Sequence, residues 1–316
     1  MKTSNHLLRR LTAALLAAVL ALSIALPVFA SDDGDTIYIN SVSDLLSLAK
    51  SCAYDQWSVG KTVVLQKDLS LEGMLWEPIP SFSGQFKGNG HTISDLTITG
   101  EYSPAGLFGI VEEKGSIESL SVRGVVSVSD SADTTTGGIV GINHGTLINC
   151  QFTGVVTGDS EVGGIVGRNE SEGTIDHSTA RAIVTGKSST GGIAGYNLGA
   201  ITGCTNVGSI NTEYQEASLD TDGFTAKMVD YLNNRMSAAD DDATNSVTNV
   251  ATDTGGIAGR SSGMILTSVN TGTVGYEHIG YNVGGIVGRT DGLVSGCVNQ
   301  GRVLGRKDVG GIAGQA

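Results

Sequence analysis

The chain has 316 residues, with 19 Lys+Arg, 32 Asp+Glu, 46 Gly and four Pro. The acid excess argues against nucleic acid and against a basic membrane-surface role, since phosphate binding needs a basic face. Gly at about twice its usual ~7%, among many Ile and Val and so little Pro, argues against a disordered linker and against collagen.

In chain order, residues 1–30 read as a signal peptide. Lys2, Arg9 and Arg10 precede an apolar run from Leu11 to Leu26, and Val28-Phe29-Ala30 supplies small residues for cleavage before Ser31. We therefore expect an exported protein, extracellular or at the cell surface, with no membrane span after the leader. Without the leader's three basic residues, 16 basic residues face 32 acidic ones, a net charge of −16.

Residues 41–54 predict a helix. Leu45, Leu48, Ala49 and Cys52 fall on one face and Ser43 suits the N-cap. We assign 31–61 to an N-terminal helical cap that covers the open end of a stack of strands. Thr62–Leu65 and then 86–98 read as the first strands of a repeat domain over 62–316.

The repeat is the pentapeptide G-G-I-[VA]-G, which begins at Gly137, Gly163, Gly191, Gly255, Gly284 and Gly310. A degenerate copy spans Ala105 to Gly109. Most intervals are 26 to 29 residues, and one is 64. Within each copy, Asn143, Asn169 and Asn197 share an offset with Ser261 and Thr290. Cys150, Cys204 and Cys297 share another with Ser178 and Ser268, and Val156, Val184, Ile210, Val274 and Val303 share a third. Like residues at like offsets stack when coils pile up. We read a right-handed parallel β-helix of about 26 residues per coil. The expected coil is three-sided, turning at Asn-x-Gly corners where Asn and Gly tolerate left-handed backbone. The cysteines then sit on one inward ladder as small apolar groups. Cys150 and Cys204 are two rungs apart, ~9.6 Å, which is too far for a disulfide.

The long interval implies an insertion, 211–252. Phe224, Met228, Tyr231, Leu232 and Met236 recur at helical spacing, and the segment holds eight acidic residues against two basic. It reads as a helix packed on the flank or as a partner-binding module. The chain stops seven residues into a coil, so we expect the polypeptide to continue beyond Ala316.

Several motifs occur in order: Gly60-Lys-Thr-Val-Val-Leu65, Asp68-Leu-Ser-Leu71, Trp76-Glu-Pro-Ile79, and Phe82-Ser-Gly-Gln-Phe-Lys-Gly-Asn-Gly-His-Thr-Ile93. Gly106-Leu-Phe-Gly109 and the pentapeptide series come after them. Together they resemble the GLUG-motif β-helix proteins of bacterial surfaces, over nearly all of 37–316 outside the insertion. The same repeat type occurs in the N-terminal region of IgA-specific metallopeptidases. The resemblance implies a β-helix and export. It brings no catalytic residues.

The residues themselves offer little chemistry. His91, His144, His177 and His278 include no pair at the H-E-x-x-H spacing of a metalloprotease. Gly60-Lys61-Thr62 lacks the upstream Gly of a P-loop, because Asp55 stands there. The G-G-x-G units recur as corners rather than as one dinucleotide fingerprint, so no cofactor is expected. The remaining candidates for a binding surface are Tyr276, Glu277, His278 and Tyr281, with Arg306, Lys307 and Asp308 one coil on. There Glu277, Asp308 and Lys307 are expected to stack, or the tyrosines to form a sugar platform. The reading is a non-enzymatic stalk or adhesin-like module whose partner is a glycan or a surface protein. The alternatives are a polysaccharide lyase or hydrolase on the same fold, and the targeting region of a longer secreted protease.

Overall fold

The computed structural model describes residues 36–54, 56–128, 134–212 and 251–316. The leader and nearly all of the insertion, with its helical spacing from Phe224 to Met236, lie outside them. The described residues form a nearly all-β parallel solenoid with one helix, near the N-terminus.

Four sheets run along the stack, where the sequence suggested three strands per coil. One coil shows the order. Ser160–Gly163 belongs to sheet 1, Val166–Asn169 to sheet 2, Thr174–Asp176 to sheet 3 and Thr179–Thr185 to sheet 4. These sheets have six, eight, nine and nine strands. The extra side arises inside the pentapeptide. Its first Gly ends a strand of sheet 1, its fourth residue begins a strand of sheet 2, and the chain bends between them. A Cβ on Gly163 would collide with the Val166 carbonyl of its own bend, so the corner closes only without a side chain there.

The pentapeptide Ile fills each corner from inside. Ile139, Ile165, Ile193, Ile257 and Ile286 are fully buried, as the repeat requires. Their backbones also join: each N–H from Ile139 to Ile286 donates to the Ile carbonyl of the next coil at 2.8–3.1 Å. Sheet 3 adds a second apolar ladder, Leu147 on Ile175 on Ile201 on Ile265 on Val294. Toward the N-terminus the core widens to take Phe82, Phe86 and Phe108, whose ring centroids lie 5.4–6.3 Å apart.

The 64-residue interval closes a single coil, because Gly191 pairs directly with Gly255. The asparagine corners work differently from the expectation. Asn143, Asn169 and Asn197 are absent from the left-handed residues and act through their amides. Asn143 Nδ2 donates to Asn169 Oδ1 and Asn169 Nδ2 to Asn197 Oδ1, both at 2.8 Å; Asn197 Nδ2 donates to Ser261 Oγ at 3.0 Å. The left-handed positions lie elsewhere. One comes two residues before every pentapeptide but the first, at Glu161, Ser189, Asp253, Asn282 and Asp308.

The helix spans Val42–Ser51. Its N-cap is Ser41 rather than Ser43: Ser41 is extended and its Oγ accepts from the Asp44 N–H at 3.2 Å. The Asn40 N–H in turn donates to Asp44 Oδ2 at 2.9 Å, which leaves Ser43 inside the first turn. Leu45, Leu48 and Cys52 are buried. The helix packs on Thr36–Ile39 and Ile79–Phe82, the outermost strands of sheets 3 and 2, and so covers that end. Thr36–Ile39 falls inside the expected cap, yet it is a strand and pairs with Thr62–Leu65, so the solenoid begins before the helix.

All four cysteines are free thiols. Cys150 and Cys204 alternate with serines on one ladder: the Cys150 N–H donates to Ser178 Oγ and the Cys204 N–H to Ser268 Oγ. Burial pushes both thiols, and that of Cys52, up to about 12. Cys297 lies in the outermost rung of its ladder and is half-buried.

Two measurements test this packing. Ile193→Asp should cost at least about 3 kcal/mol in urea unfolding, by burying an unpaired charge. At pH 8 the native protein should alkylate first at Cys297, the half-buried thiol: burial raises all four thiols, but it shuts Cys52, Cys150 and Cys204 away from reagent and pushes them up to about 12. Denatured, unreduced protein should show four reactive thiols; fewer would contradict the ladder.

Candidate functional site

The outer faces of the sheets carry the surface chemistry. Sheet 1 holds part of the expected cluster. Tyr281 pairs with Lys307 in register, and the Arg306 guanidinium lies 5.7 Å from the Tyr281 ring centroid. Asp308 follows on the same strand, exposed and with left-handed backbone. The register sets Asn282 beside Asp308, not Glu277. Glu277 lies instead on the turn closed by the Ile279 N–H donating to the Tyr276 carbonyl at 3.2 Å. There its carboxylate is 4.0 Å from its neighbour His278, and both side chains are largely exposed. Gly280, at φ +90°, separates that turn from the strand. Tyr281, Arg306, Lys307 and Asp308 therefore come together on two adjoining rungs at sheet 1, while Glu277 and His278 project from a loop.

Beneath Asp308, Asn282 Nδ2 donates to Asp253 Oδ1 at 2.7 Å, extending the left-handed row down the stack. Among the described residues, no group of three or more His, Cys, Asp or Glu side chains is arranged to hold a metal ion.

A second asparagine ladder is not among the sequence expectations. Asn206 Nδ2 donates to Asn270 Oδ1, and Asn270 Nδ2 to Asn299 Oδ1, each at 2.8 Å. In three pentapeptides the second Gly, at 192, 256 and 285, faces this ladder. A Cβ on Gly192 would collide with Asn206, and one on Gly256 with Asn270. The signal is present as Asn-x-Gly at 206, 270 and 299, fifteen residues after each first Gly.

A cleft of about 530 Å³ is also new, since all of its lining but His144 lies ahead of the first pentapeptide. Gln56, Ser81, Ser83, Glu112, Glu113, Lys114 and His144 line it, with Val59. Ser81 Oγ donates to Glu112 Oε1 at 2.8 Å.

The outer face of sheet 2 carries a longer stripe. Ile142, Arg168, Tyr196, Arg260, Arg289 and Gln315 are successive register partners. Arg168 and Arg260 flank the Tyr196 ring, with guanidinium carbons 5.1 and 5.3 Å from its centroid. Arg168 also binds Glu161 at 2.8 Å and Glu170 at 2.7 Å. Burial works against its charge, but the two glutamates outweigh it and raise its pKa.

No protein-family model matches the chain. It is 32% identical over 155 residues to "Halomucin" of Haloquadratum walsbyi, covering 45% of this chain and 2% of that one. It is 30% identical over 137 residues to the "Putative Gly-rich membrane protein" of Evansella cellulosilytica, covering 31% of this chain and 16% of that one. The chain thus spans a small part of both relatives. In fold it resembles the crystal structure of a "putative immunoglobulin A1 protease from Bacteroides ovatus". That match has a TM-score of 0.53 and 18% identity over 84% of this chain and 75% of that one. At that identity the likeness is one of fold, a β-solenoid.

Replacing Tyr196 tests the stripe's cohesion. Tyr196→Ala should lower unfolding free energy by about 1–2 kcal/mol, the worth of two partly exposed cation–π contacts. Tyr196→Phe keeps the ring and should stay close to wild type in the same urea titration.

Proposed function

We propose that this solenoid is a non-enzymatic structural and binding module, exported and displayed at the cell surface. The observation that carries the reading is the regular outer face of sheet 2, where one outward position recurs in register rung by rung. Such a surface suits contact with an extended partner, and solenoids use their faces in this way. The match to halomucin and to a Gly-rich membrane protein supports a surface or membrane-associated setting. In both relatives the matched stretch is a small share of the length, which fits a module within a longer polypeptide. The acid excess supports a partner other than nucleic acid. No helix among the described residues is long and apolar enough to cross a membrane.

Catalysis by acid and base needs two positioned groups within reach of one bond. The cleft at Glu112, Glu113 and His144 is the place where a carbohydrate-active enzyme of this fold would work, and it favours that second reading. A screen of pectin, alginate, hyaluronan and chondroitin separates the two. We expect no turnover from the wild type. Turnover abolished by Glu112→Gln, Glu113→Gln, Glu277→Gln or Asp308→Asn would replace the module reading with the enzyme and locate its site.

A further inference from the structure

The stripe on sheet 2 is unusual in so acidic a protein, because its charged members are all arginines. Arg168 is neutralised by Glu161 and Glu170. Arg260 and Arg289 differ: among the described residues no ion pair joins either to a carboxylate. They are direct register partners, so their backbones lie one rung apart, ~4.8 Å. Arg289 is exposed and Arg260 half-buried. Tyr196 supports Arg260 from the next rung, which restrains one guanidinium before any partner arrives.

We propose that this stripe is a binding track for an acidic polysaccharide, a polyuronate whose carboxylates fall on Arg260 and Arg289. The proposal rests on the module reading above and names its partner class. Guanidinium is a planar fork that takes a carboxylate through two N–H groups. A chain lying along the stack meets one rung after another, and an extended polyuronate advances by roughly one sugar per rung. An extended acidic peptide fits worse, since laying its flexible backbone along the stack costs conformational entropy at every residue. One carboxylate of the chain lies in the field of this pair. Asp291 has its carboxyl held below the usual range by the Ser262 hydroxyl, and the field of Arg260 and Arg289 adds to that effect. Next to Arg289 in the register comes Gln315, and on the other side Tyr196 separates the pair from the glutamate-paired Arg168.

The test is calorimetric titration of the full chain with polygalacturonate, its methyl ester and poly-L-glutamate. About 0.1 M salt is suitable, because a Debye length of ~10 Å screens the rest of the acidic surface. The wild type should bind polygalacturonate and neither of the others. Arg260→Ala with Arg289→Ala should weaken binding at least about tenfold. Arg123→Ala with Arg181→Ala removes the same charge from exposed positions on sheet 4 and should leave binding within about twofold. Arg260→Lys with Arg289→Lys keeps charge but loses the fork, and should fall between. If the double alanine variant unfolds, Arg289→Ala alone, at an exposed position, should still weaken binding about threefold. The track is overturned by absent wild-type binding, by equal binding of the methyl ester or poly-L-glutamate, or by equal losses in the two alanine pairs. Release of sugar fragments in the same cell would instead overturn the non-enzymatic reading and leave the track standing.

Discussion

The buried amide is the constraint on which the stack depends. An asparagine side chain removed from water needs partners for both its oxygen and its nitrogen, or it costs several kcal/mol. Here each amide is satisfied twice over. Asn143 Oδ1 accepts from the Gly145 N–H of its own corner, while Nδ2 donates to Asn169 in the next coil. The same arrangement holds at Asn206 and Asn270. One side chain thus shapes the turn within a coil and fixes the register between coils. A coil slipped by one residue would strand every amide in the ladder. Apolar ladders also forbid that slip, which would turn them out of the core, but they resist a two-residue slip less, since Ile on Val is nearly as good as Ile on Ile.

Much of this fold was legible because the repeat copies its own physics. Buried Ile at the pentapeptide and Cys with Ser on one ladder follow from offsets alone. The fourth sheet was harder to see. Its boundary lies within Gly163 to Val166, where bend and strand share one motif, and hydrophobic periodicity over so few residues cannot separate them. Assigning left-handed backbone to the asparagines borrowed a rule for exposed turns. Buried asparagines obey hydrogen-bond satisfaction first. The strand Thr36–Ile39 escaped notice because its partner, Thr62–Leu65, lies beyond a helix and outside the repeat.

The candidate site was less legible, for a related reason. Inward positions are constrained by their neighbours, whereas outward ones vary freely and leave little periodic trace. Reading Glu277 into a stack with Asp308 assumed that loop residues keep the strand register, and the turn at Tyr276 to Ile279 breaks it. The arginine stripe was visible as shared offsets. Its pairing with Tyr196 depends on side-chain direction, which spacing does not encode.

The coil closed by Gly191 and Gly255 carries a wider lesson about how such a protein changes over generations. Where its chain leaves the regular path, Asn211 takes hold of both neighbours: its Oδ1 accepts from the Gly186 N–H at 2.9 Å, and its Nδ2 donates to Thr254 Oγ1 at 3.0 Å. The root of the added segment is therefore clamped, whatever its length. Closing a loop costs only ~0.6 kcal/mol more for each doubling in length. Evolution can thus experiment at this corner, lengthening or replacing a segment, while the rungs on either side remain in step.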